Sequence, residues 1–97
     1  MKQTVYELRP IDQTLSKGLF ISAEEAWRYV GIDNRYLYVV IAVKKNVVFI
    51  VVQLGEHDDG GDTIDTVFSN YVSALAYAAK KYRNDYDYEI YVREVRS

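Results

Sequence analysis

The order of apolar and polar residues along this chain predicts strands, helices and then more strands. Thr4 to Arg9 alternates and is rich in strand formers, and Pro10, which lacks a ladder donor, stops it. Residues 10–21 follow no clear period and leave room for a short extra strand at Gly18 to Ile21. Ser22-Ala-Glu-Glu25 has the form of a capping box, in which the hydroxyl and the carboxylate each satisfy an orphan amide. A helix of about two turns then runs through Ala26, Trp27 and Val30 to Gly31, a residue suited to a left-handed stop.

Tyr36 to Lys44 and Val47 to Leu54 read as two strands around a Lys45-Asn46 turn, because Asn tolerates positive φ. That pairing gathers Leu37, Val39, Ile41, Val43, Val48, Ile50, Val52 and Leu54 on one aliphatic face. Tyr36, Tyr38, Phe49 and Val51 fall on the other. Residues 63–83 show helical spacing through Ile64, Val67, Phe68, Tyr71, Val72, Leu75, Ala78, Ala79 and Tyr82, with Asp62 or Thr63 as the cap. Tyr86 to Val95 alternates as a half-buried strand. The predicted class is α+β: one domain over 1–97, with an antiparallel sheet carrying two helices on one face. Its order is βαββαβ, the ferredoxin-like plan. A strand at 18–21 would turn this into a related antiparallel sheet with one dominant helix.

Composition narrows the chemistry. The 97 residues hold no cysteine, so disulfides, thiolate metal sites and cysteine nucleophiles are excluded. No apolar run reaches the ~18 residues of a spanning helix, and the expected location is the cytoplasm. His57, the one histidine, lies in the polar stretch Gly55-Glu-His-Asp-Asp-Gly-Gly-Asp62 and reads as a solvated loop residue. Gly55 and Gly60 have the spacing of a phosphate loop, but Gly61 and Asp62 stand where its lysine and hydroxyl residue belong. The acids there do not follow calcium-loop spacing. No catalytic constellation, metal site or cofactor is expected.

Charge adds a sharper feature. Between Lys45 and Lys80 there is no Lys or Arg, while Glu56, Asp58, Asp59, Asp62 and Asp65 give that window a formal charge of -5 against -2 for the whole chain. Such a segment can dock on a basic surface, although acids also gather at helix N-termini for local reasons. Tyrosine is the other excess, 10 residues against 3 Phe and 1 Trp. Tyr36, Tyr38, Phe49 and Tyr91 are the candidates for an open sheet face, where aromatic side chains anchor protein contacts. Base stacking is disfavoured, since Val47 to Gln53 lacks a basic aromatic signature and the net charge is wrong for phosphate.

Val72 to Tyr82 followed by Tyr86 to Val95, together with Ser22 to Trp27, resembles small phage and mobile-element proteins, among them the anti-CRISPR proteins. The resemblance is one of size and plan and contains no diagnostic motif. It implies a protein partner, a host nucleic-acid-binding complex whose basic channel an acidic surface would occlude. The expected function is a non-enzymatic protein-binding module of this inhibitory kind. The alternative is a homodimer pairing through its open sheet face. Membrane binding and direct nucleic-acid binding are not expected.

Overall fold

A nine-residue strand, β1 (Lys2–Pro10), pairs antiparallel along its whole length with the first half of a sixteen-residue strand, β3 (Tyr38–Gln53), from Lys2 opposite Asn46 to Pro10 opposite Tyr38. The computed structural model describes residues 2–55 and 61–96. Its contacts divide the chain into two compact units, one within residues 1–46 and one within 47–95, and β3 runs through both. All strand pairs are antiparallel and helices accompany them, so the class is α+β.

In the first unit, the short strand β2 (Gly18–Phe20) pairs with β1 through Tyr6 opposite Phe20. Ser22 then caps helix α1 (Ala23–Val30) by accepting from the Glu25 amide at 3.2 Å. Gly31 ends that helix at φ 83°, a left-handed value costly for a residue with a Cβ, and donates its amide to the Trp27 carbonyl at 3.1 Å. A 3₁₀ helix follows over Ile32–Leu37. Val5, Leu8 and Ala26 are fully buried. Glu7, whose side chain is 12 % exposed, meets Arg9 Nε at 3.0 Å and Lys45 Nζ at 3.7 Å. The contact with Arg9 is an ion pair whose angles are not those of a hydrogen bond.

In the second unit the remainder of β3 is the central strand. β4 (Thr63–Phe68) pairs on it, as does β5 (Tyr88–Glu94). Helix α2 (Tyr71–Lys81) is capped by Asn70, whose Oδ1 accepts from the Ser73 amide at 3.0 Å. The register puts Phe49 opposite both Phe68 and Val92, on the face that α2 covers. Three ring pairs hold that contact: Phe49 edge-on to Tyr71 at 5.7 Å, Phe68 tilted on Tyr77 at 5.3 Å, and Tyr82 stacked on Tyr88 at 5.5 Å. Val47, Phe49, Val51, Val52, Ala74, Ala78 and Val92 are buried here.

Three expectations are corrected. The Lys45-Asn46 hairpin is absent: residues 38–53 form one uninterrupted strand, and no residue other than glycine takes positive φ among the described residues. Both favoured two-residue hairpin turns need positive φ at the first central position, which Lys45 resists, whereas the extended chain finds β1, β4 and β5 to pair with. The ferredoxin-like order rested on that hairpin. The observed order is β1-β2-α1-β3-β4-α2-β5. The long helix over 63–83 is also divided. Thr63, Ile64, Thr66, Val67 and Phe68 favour a strand, and Asn70 starts the helix eight residues after the expected Asp62 cap. The third correction concerns faces. Without the hairpin, Phe49 leaves the expected open face and becomes fully buried core beneath α2. The strand at 18–20 and the Ser22 cap are as expected.

Candidate functional site

Two groups of side chains stand out. The first is built by an irregularity in β4. Val52 pairs with Ile64 but Val51 pairs with Thr66, so Asp65 is an extra residue without a partner in β3. Such a bulge leaves its residue out of the ladder and re-aims its side chain. The Asp65 carboxylate, 9 % exposed, turns to the C-terminal end of α2. Tyr77 Oη donates to its Oδ1 at 2.8 Å, Lys81 Nζ lies 2.8 Å from its Oδ2, and Tyr82 Oη also donates to Oδ2. Lys81 Nζ further donates to Tyr77 Oη at 3.4 Å and sits over the Tyr77 and Tyr82 rings at 5.7 and 5.6 Å. This clasp joins one strand to one helix through residues 12 to 17 positions apart.

Its electrostatics limit what it can do. The Lys81 ammonium, followed by the Tyr82 hydroxyl, holds the Asp65 carboxyl down at about 2. Asp65 in turn raises Lys81 and raises Tyr82. Every shift runs away from neutrality, whereas a general acid or base works best with its pKa near the working pH. The clasp is therefore built to fasten, not to exchange protons near pH 7.

The second group is apolar and belongs to the first unit. Ile11, Leu15, Tyr29, Ile32 and Tyr36 are between 64 and 77 % exposed, and Leu37 is also exposed. Ile32, Tyr36 and Leu37 share the 3₁₀ helix, and the Ile11 amide donates to the Leu37 carbonyl at 2.8 Å, which brings the segment after β1 against that helix. Tyr29 packs its ring on Phe20 at 5.5 Å and leaves the rest to solvent. Arg35 lies over the Trp27 ring at 5.7 Å.

The residues expected to bind partners are dispersed. Glu56, Asp58 and Asp59, with His57, lie outside the described residues. Asp62 is exposed, and its Oδ1 accepts from the Gly55 amide at 3.1 Å. Asp65, expected at a helix N-terminus facing a partner, is neutralised within the chain by Lys81. In the first unit, Tyr36 is exposed on the 3₁₀ helix and Tyr38 begins β3 half-buried opposite Pro10. In the second unit, Phe49 is core. Tyr91 shares with Ile50 the face that α2 leaves uncovered, alongside exposed Ile64 and Val67. A hydrogen bond with Glu89 is the main reason that the Tyr91 hydroxyl is pushed up to about 12, and Arg93 lies over its ring at 5.3 Å.

Sequence reasoning missed Ile11, Leu15 and Ile32 because they obey no period, which was itself the signal. It missed Tyr77, Lys81 and Tyr82 as partners of Asp65. An aspartate inside the strand-forming run Thr63 to Phe68 was the available clue. Among the described residues no group of three or more His, Asp or Glu could hold a metal, and no helix is long and apolar enough to cross a membrane. No protein-family model, no curated protein and no solved structure matches this chain.

Proposed function

We propose that this chain is a non-enzymatic protein-binding module whose contact surface is the apolar group of its first unit. One observation carries the reading. That unit fully buries Val5, Leu8 and Ala26 while leaving Ile11, Leu15, Tyr29, Ile32 and Tyr36 mostly exposed. Ile32, Tyr36 and Leu37 share the 3₁₀ helix to which the Ile11 amide is bonded, and exposed apolar side chains grouped in this way mark a place where another surface sits, with aromatic residues the usual anchors.

The test uses light scattering and an apolar dye, anilinonaphthalene sulfonate, on the wild type and on Ile32→Glu/Tyr36→Glu. A dimer that the double variant dissolves identifies a second copy as the occupant, the homodimer reading. A monomer that binds the dye and loses that binding in the variant leaves the surface open to a foreign protein. A wild-type monomer that binds no more dye than the variant overturns the proposal.

A second reading draws on the acid-only window and on the exposure of Asp62. Here the chain is a phage-type, anti-CRISPR-like inhibitor that occludes a basic nucleic-acid channel with Glu56, Asp58, Asp59 and Asp62. Asp65 drops out of that set because Lys81 neutralises it. Purified CRISPR effector complexes would fail to load target DNA in its presence, and Asp58→Lys/Asp59→Lys/Asp62→Lys would restore loading. Loading unaffected by the wild-type chain, across a panel of such complexes, rejects this version.

A further inference from the structure

We propose that the Asp65 clasp keeps the outer edge of β4 closed to strand addition by a second copy of this chain. β4 pairs with β3 and, among the described residues, with no other strand. An edge strand presents a row of unpaired amides and carbonyls, which another strand can extend. By composition β4 is a good template. Five of its six residues are Thr, Ile, Val or Phe, it holds no Lys, Arg or Pro, and Ile64 and Val67 are 65 and 50 % exposed. The other outer strand of this unit, β5, carries Glu89, Arg93 and Glu94 among its seven residues. In β4, Asp65 alone is charged.

Natural sheets blunt their edges with bulges and with charged side chains turned inward, and Asp65 supplies both at one position. The bulge interrupts the even spacing that an incoming strand must match and increases the local twist. The clasp makes the bulge persistent. Tyr77, Lys81 and Tyr82 tie the carboxylate to α2, so residue 65 cannot return to the ladder without breaking three bonds to a charged group. Once the bulge is released, each copy offers the same unpaired edge. Identical edges close pairwise by an isologous antiparallel contact.

The experiment is mass by light scattering over a concentration series, with circular dichroism to verify that the chain is folded. It is run in the Ile32→Glu/Tyr36→Glu background so that the apolar surface of the first unit cannot contribute. Asp65→Thr removes the charge and the clasp while keeping a strand former. It is expected to double the mass at high concentration relative to the same background. Adding Val67→Lys, an edge charge, is expected to return the mass to that of the background. Should Asp65→Thr fail to fold, Tyr77→Phe/Lys81→Met/Tyr82→Phe replaces it, releasing the carboxylate from all three partners while keeping both rings. A mass unchanged by the releasing variant overturns the proposal, as does association that Val67→Lys leaves intact.

Discussion

The two units solve the same packing problem with cores of different size. Each sets one helix on antiparallel strands, and each starts that helix with a side-chain oxygen, Ser22 in one and Asn70 in the other. The second unit buries seven aliphatic or aromatic residues, and three ring pairs with one ionic clasp fasten its helix. Among the described residues the first buries Val5, Leu8 and Ala26, and each unit leaves six large apolar residues exposed. Its helix α1 has eight residues, with Ala26 its buried position, so little apolar area is available to cover the sheet. The contrast teaches where stability resides: residues 47–95 hold the larger share of the core.

The strongest way to break this comparison is to remove the central ring of the better-packed unit. Phe49→Ala is expected to cost about 3–5 kcal/mol in chemical denaturation, enough to unfold much of a small domain. A loss below about 1 kcal/mol would show that the second unit is not the seat of stability.

Acid titration sharpens the comparison next. The Asp65 carboxyl lies at about 2 in the folded chain against an ordinary value of 3.8. A lowered folded-state pKa gives stability that is fully present above the ordinary value and is lost as pH falls from there towards 2. Unfolding free energy measured against pH should therefore drop through that window in the wild type. The drop should be visibly shallower in Asp65→Asn, and an unchanged slope would mean that the clasp does not hold in solution.

The helix caps offer a smaller, matched test. Asn70→Ala and Ser22→Ala are each expected to cost about 1 kcal/mol in local helix stability. In thermal unfolding Asn70→Ala should lower the midpoint more, because α2 is the helix that covers the larger core. Equal or reversed shifts would equalise the two units. The smallest effect is expected from Ile32→Glu/Tyr36→Glu, which should change stability by no more than about 0.5 kcal/mol per site. A larger loss would assign those side chains to the core.

Much of the local structure was legible because it depends on neighbours in sequence. The Ser22 cap, the Gly31 stop, strand β1 ending at Pro10, the short strand at Gly18 and strand β5 all follow from local bonding and φ preferences. What was illegible depended on pairing. Residues 63–68 carry helical spacing and strand-forming residue types at once, and their ladder with β3 decides between them. Lys45-Asn46 can form a turn, but β3 pairs with β1 up to Asn46 and with β5 from Val47, so both residues belong to ladders instead. The candidate sites were less legible than the fold. Of the residues chosen for partner contact, Phe49 proved to be core, Asp65 proved to be internally neutralised, and Tyr36 lies within the apolar surface proposed here.

By itself the sequence determined the class, the start and stop of α1, the absence of thiol chemistry and the acid-only window, because each depends on residue identity or on contacts within a few positions. Only the tertiary structure decided which face of β3 is core in the second unit, that Asp65 leaves the ladder for Lys81, and which apolar side chains stay uncovered. The physical reason is the two-residue repeat of a strand. Side chains alternate between faces, so a turn read where the chain continues puts Phe49 and Val51 on the open face instead of the core, and only long-range pairing reports which has happened.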